Sequence, residues 1–100
     1  MTFRETILVM LLQGPASGLQ IYDRLNLWLP SAPWLVRTYV KFRLALNSHY
    51  GVLRDFEREG LVTSHEEPGG YERGYRPRRI YTPTNTGQSL GILLMIRPSR

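Results

Sequence analysis

The stretch Tyr50–Glu67, YGVLRDFEREGLVTSHEE, changes period at a single residue. Before Gly60, the residues Tyr50, Leu53, Phe56 and Glu57 stand at helical spacing. After it, LVTSHEE opens with the apolar and β-branched run of a strand. Glycine closes helices because it alone enters the left-handed region without steric cost. A short helix joined by one glycine to a strand is therefore predicted, and the flanking segments decide what unit it belongs to.

Towards the C-terminus comes a loop holding Pro68, Gly69, Gly70, Gly74 and Pro77, and then RRIYTP. Two strands around a polar, glycine-rich loop make a hairpin, about 61–83, with a long exposed tip. Pro83 closes the second strand. Thr84 or Asn85 caps a last short helix, about 85–96, running through Leu90, Leu93 and Leu94. Towards the N-terminus, Phe3, Ile7, Met10 and Leu11 form one stripe of a first helix ending near Gln13, and Leu8 and Leu12 widen it. A helix apolar over so much of its circumference is central to a core or shared with a partner. Gly14 and Pro15 end it. Ser17 offers an N-cap to a second helix carrying Leu19, Ile21, Tyr22, Leu25 and Trp28 as far as Pro30. Segment 31–47 reads two ways. Leu35, Tyr39, Phe42 and Leu46 fit a helix, whereas Val40, Phe42, Leu44 and Leu46 alternate as in a strand. A helical insertion begun at Pro33 is the preferred reading. Asn47 or Ser48 then caps the helix that runs to Glu59.

One hundred residues make one domain, 1–100, small enough to gain from a second subunit. With 42% hydrophobic residues the chain is not disordered by composition. The absence of cysteine removes disulfides, thiolate nucleophiles and sulfur-based zinc sites, and fits a reducing, cytoplasmic setting. Export is not expected, because Glu5 offsets Arg4 and the apolar run TILVMLL is followed by a second amphipathic helix. LGILLMI is far shorter than the roughly 20 residues a membrane span needs, so no membrane partner is expected. Only His49 and His65 could act as bases near neutral pH. Neither belongs to a metal-binding pair, and HEE lacks the second histidine of a zinc-protease motif. No enzymatic activity, cofactor or metal is expected, and no small-molecule inducer is legible.

The net charge is +5, and of thirteen basic residues only Lys41 is not arginine. Arginine presents a planar fork suited to phosphates and guanine edges, which fits a nucleic-acid binder. Biased coding composition gives the same skew, so position counts for more than number. Arg73, Arg76, Arg78 and Arg79 fall within seven residues at the hairpin tip with no acid among them, and Tyr71 and Tyr75 are interleaved. Such a tip can lie along a phosphate backbone or place an arginine in the minor groove; exposed arginines also guard a strand edge against pairing. With Leu53 and Phe56 turned to the core, the opposite face of the preceding helix carries Ser48, Gly51, Asp55 and Arg58, flanked by Asn47, Val52 and Arg54. Asn47 and Ser48 can bond base edges or phosphates, Gly51 lets a backbone come close, and Arg54 and Arg58 reach phosphates or a guanine. Asp55 must pair with Arg58 or accept from a cytosine amino group. His49 is read as a helix-start residue near a DNA backbone or as a partly buried packing residue, and Tyr50 joins the same candidate set. The bland alternative for the whole face is an ordinary solvated helix surface.

The order helix, helix, helix, glycine, two-stranded hairpin is that of a winged helix-turn-helix, a mainly α domain with a small β-hairpin. ILVMLLQGPASGLQIYDRL resembles the opening of PadR-like transcriptional regulators, in which a leucine-rich helix runs into Gly-Pro-x-Ser-Gly. YGVLRDFEREGLV resembles that family's recognition helix, and RRIYTPTNTG its wing strand. The segment between Leu29 and Asn47 is longer than usual there, Gly51 stands where proline is common, and Pro83 where leucine is common. The tail after Gly87 is too short for the C-terminal dimerisation domain of long members, which leaves the short-tailed type. The resemblance implies a sequence-specific regulator of double-stranded DNA, a repressor, read by Asn47, Ser48, His49, Tyr50, Gly51, Arg54 and Arg58 with a wing bearing Arg73, Tyr75, Arg76, Arg78 and Arg79. It also implies a homodimer joined by terminal helices, here Ile7, Met10, Leu11, Leu90, Leu93 and Leu94. The alternative is a winged-helix protein–protein adaptor, for which the inserted Trp34, Tyr39 and Phe42 would be the contact surface.

Overall fold

Helix α1, Phe3–Leu11, starts at a capping box: the Thr2 hydroxyl accepts from the Glu5 amide at 3.1 Å, and the Glu5 carboxylate accepts from the Thr2 amide at 2.8 Å. The same device opens α2, Gly18–Trp28, where Ser17 and Gln20 exchange bonds of 3.2 and 2.9 Å. The structure, a computed structural model, describes residues 2–71 and 77–96. Between the two helices the chain turns through Gly14 at φ 132°, a conformation open to glycine. Arg24 reaches back from α2 to donate to the carbonyls of Met10, Gly14 and Pro15 at 3.0, 2.8 and 3.3 Å. Carbonyls at the end of α1 and in the turn after it thus gain a charged donor, and the angle between the helices is fixed.

A single 3-10 turn, Leu29–Ser31, leads to α3, Trp34–Ala45, entered at Pro33. Asn47, at φ 57° and ψ 30°, then reverses the chain into α4, Ser48–Arg58. Asparagine tolerates this left-handed conformation better than other side chains, and its own side chain makes no capping bond here. Gly60, at φ 78°, ends α4. The strands β2, Val62–Tyr71, and β3, Pro77–Pro83, pair antiparallel from Val62 opposite Pro83 to Glu66 opposite Arg79, with an irregularity before Tyr71. On the other side of β3 lies a two-residue strand β1, Ala16–Ser17, with Ala16 opposite Tyr81 and Ser17 opposite Ile80. The sheet therefore has three strands in the order β1-β3-β2, where the sequence leads to an expectation of two.

Thr84 joins the sheet to α5, Asn85–Ile96. Its hydroxyl accepts from the Gly87 amide at 3.1 Å and donates to the Gly60 carbonyl at 2.7 Å, while its amide donates to the Leu61 carbonyl at 3.0 Å. Gly87 is required by proximity, since a Cβ there would sit 2.0 Å from the Leu61 carbonyl oxygen.

The result is a mainly helical chain with a small antiparallel sheet around one core. Phe3, Ile7, Leu8 and Leu11 of α1 run through its centre, meeting Ile21 and Leu25 of α2, Val40 and Leu44 of α3, and Leu53 and Phe56 of α4. Full burial of each such side chain contributes about 1.5–3 kcal/mol, which makes α1 the most costly element to disturb. One expectation is corrected here. Ile7, Met10 and Leu11, expected at a subunit interface, are consumed by the chain's own core, and Leu94 is buried beside them; Leu90 and Leu93 remain exposed. Within segment 31–47 the preferred helix forms over Trp34–Ala45; Val40 and Leu44 turn inward, whereas Leu35, Tyr39, Phe42 and Leu46 turn to solvent. Among the described residues no helix is long and apolar enough to cross a membrane.

Candidate nucleic-acid interface

Helix α4 is gripped along one face. His49, Val52, Leu53 and Phe56 are buried, and α1, α2 and α3 all pack against the helix. At its C-terminal end the Arg4 guanidinium donates to both Glu59 carboxylate oxygens at 2.8 Å and lies 4.8 Å from the centre of the Phe56 ring. The pair is half-exposed, so its energetic contribution is small, but it fixes the roll of α4 against α1. The outward face presents Asn47, Arg54, Asp55 and Arg58 exposed, with Ser48 and Gly51 half-buried.

Two candidates on this helix change role. His49 is 1% exposed, with its ring 5.9 Å from that of Tyr22 and 4.2 Å from that of Tyr50. It is a packing residue, one of the two alternatives its position allowed. Val52, placed by the sequence beside the outward face, is buried as well. The signal for both was present: His49, Val52, Leu53 and Phe56 repeat at three- and four-residue spacing, one position off the stripe begun at Tyr50. Tyr50 is part-exposed, and its ring lies over Gly18, where a Cβ would meet Tyr50 Cε1 at 2.2 Å. The glycine of the Gly-Pro-x-Ser-Gly segment thus makes room for an aromatic ring at the start of α4. Asp55 pairs with Arg58 at 3.8 Å, an exposed and loosely held contact. Arg54 carries no ion pair among the described residues.

The hairpin differs in its electrostatics from what its sequence implies. Arg78 and Arg79 have no acid beside them along the chain, yet strand pairing sets acids across from them. Arg78 meets Glu67 at 3.4 Å, and Arg79 meets Glu66 at 3.4 Å and Ser64 Oγ at 3.0 Å. Ser64 in turn donates to the Glu57 carboxylate, tying β2 to α4. Arg73, Tyr75 and Arg76 lie outside the described residues. Among the described residues there is no group of three or more His, Cys, Asp or Glu that could hold a metal ion. The reach of Arg24, the Ser64–Glu57 link and strand β1 were not legible beforehand.

No family model matches the chain, and neither a curated protein nor a solved structure matches it.

Proposed function

We propose that the chain is a winged-helix protein of PadR-like type that binds double-stranded DNA and represses transcription as a cytoplasmic homodimer. On this reading α4 is the recognition helix, β2 and β3 are the wing, and the chain has no catalytic chemistry of its own. The observation that carries it is α4 itself: a helix fixed on one side by buried side chains, with Asn47, Ser48, Gly51 and Arg54 on the other. Helix-turn-helix proteins enter the major groove with the N-terminal residues of such a helix. Among the described residues Arg54 has no carboxylate to leave before reaching a base edge or phosphate. Arg58, Arg78 and Arg79 would exchange exposed carboxylates for phosphates, and exposed pairs of that kind hold by about 0–1 kcal/mol. The homodimer is supported by α5, where Leu90, Ile92, Leu93, Met95 and Ile96 are exposed beside an apolar groove of about 570 Å³ bordered by Val9, Leu12 and Pro15. A two-fold axis there would offer two α4 helices to half-sites about 34 Å apart.

The test is selection of bound duplexes from a random pool, followed by Asn47→Ala and Arg54→Ala on selected and random DNA. A residue that reads a base loses about 1–3 kcal/mol on the selected duplex and little on random DNA. A salt-independent response, or no binding to any duplex, would reject the DNA reading in favour of the protein adaptor.

A further inference from the structure

Helix α3 is apolar on two opposite faces. Val40 and Leu44 enter the core, while Leu35, Tyr39, Phe42 and, at the C-cap, Leu46 are 65, 50, 61 and 60% exposed. These four are spaced by four, three and four residues, the narrow seam of a coiled coil. A seam of that width fits another helix, not a broad pocket.

We propose that this stripe pairs with the same stripe of a second copy, antiparallel about a two-fold axis. The spacing reads the same in both directions, and so do the residue types: aliphatic, aromatic, aromatic, aliphatic. A two-fold interface demands that self-complementarity. Antiparallel pairing sets Leu35 against Leu46 of the second copy and Tyr39 against Phe42, giving four layers with aromatic pairs in the middle. The positions flanking the seam are Val36 and Arg43 on one side and Thr38 and Ala45 on the other. Like flanks meet in an antiparallel pair, so Arg43 faces Val36 and Thr38 faces Ala45. No two cations oppose each other, and no flanking pair of charges selects an acidic partner instead. The Arg43 guanidinium lies between two rings, 5.3 Å from the centre of Phe3 and 5.9 Å from that of Tyr39 in the seam. Arg37 and Lys41 fall off the seam. With about 200 Å² for each side chain of this size, the exposures amount to roughly 500 Å² per copy and about 1,000 Å² in the pair. That approaches the lower bound of specific interfaces. The pairing is independent of the DNA reading, and its two-fold axis is separate from the one proposed at α5, so the two together would join dimers into a larger assembly.

The chain contains no cysteine, which permits a direct test of register. Leu35→Cys and Leu46→Cys variants are mixed at roughly 100 μM under mild oxidation and compared with each variant alone. The mixture should cross-link several-fold more than either variant alone, because like positions lie about 16 Å apart in an antiparallel pair. Leu27→Cys, exposed on α2 and off the stripe, should not cross-link. Phe42→Glu, at a solvent-facing position that does not threaten the fold, should abolish the cross-link, and Leu93→Glu on α5 should leave it intact. Equal cross-linking of each variant alone, no cross-link in the mixture, or loss with Leu93→Glu would overturn the pairing. So would protection of the Leu35→Cys thiol from alkylation by duplex DNA, or by an acidic heptad peptide, while the mixture stays uncross-linked; that result gives the stripe to the other occupant.

Discussion

Gly51→Ala separates what α4 does for the fold from what it does for DNA. Gly51 lies inside the helix, and a Cβ built there meets nothing within 4 Å. Alanine in a helix interior is favoured over glycine by about 0.5–1 kcal/mol, since glycine loses more backbone freedom on folding. For a domain of this size each kcal/mol moves the melting midpoint by roughly 4–8 °C, so a rise of about 2–8 °C is expected. The added methyl projects from the face proposed to meet DNA. There it occupies the gap through which the helix backbone would approach the duplex, and a weakening of about 1–2 kcal/mol, roughly five- to thirty-fold, follows. Circular-dichroism melting reads the first quantity, and fluorescence anisotropy with a selected duplex the second. A stabilised variant that binds DNA as before would refute the placement of this face against the duplex. A lowered midpoint would refute the assumption that only helix propensity is at stake.

Gly87→Ala should do the reverse to stability. Its Cβ would fall 2.0 Å from the Leu61 carbonyl oxygen, so α5 must shift away from the Thr84 anchors. Despite the propensity gain, a loss of about 2–4 kcal/mol is expected, read as a lower urea midpoint with little change in slope. Combining Arg78→Ala with Arg79→Ala should weaken binding to all duplexes alike and flatten the salt dependence by roughly one to two units of slope. Glu66→Gln with Glu67→Gln frees the same arginines from their partners and should tighten binding several-fold. An unchanged slope in the first pair, or weaker binding in the second, removes the hairpin from the interface.

How far the sequence speaks depends on which forces are local. Helix ends were legible because they are set by nearby residues: Ser17 caps α2, Gly60 ends α4, and Pro83 ends β3. The helical nature of 31–47 was legible too, but its orientation was not. Four large apolar residues on one stripe outweigh two on the other in any reading of pattern, and only contact with α4 shows that Val40 and Leu44 turn inward. Strand β1 could not be foreseen from two residues without periodicity, since its partner lies far along the chain. A shorter separation, 11 and 13 residues, was enough to hide the acids. Along the chain Arg78 and Arg79 stand among arginines, whereas the hairpin register brings Glu66 and Glu67 across to them. Burial of His49 was foreseeable from its spacing to Leu53 and Phe56, but polar side chains are seldom assigned to a core stripe.

The pairing of β1 with β3 has a consequence for the time course of folding. Ala16, near the start of the chain, meets Tyr81, near its end, and α1 packs against α5. The central strand of the sheet is thus synthesised well after its partner β1, with all of α2, α3 and α4 between them. Until β3 emerges, β1 has no neighbour and the sheet cannot form. Closing so long a loop is entropically costly, and proteins dominated by such distant pairings fold more slowly than helical bundles of equal size. Helices α1 to α4 are therefore available early as separate local units, while the arrangement that holds α4 and the hairpin in register is completed only when β3 meets β1.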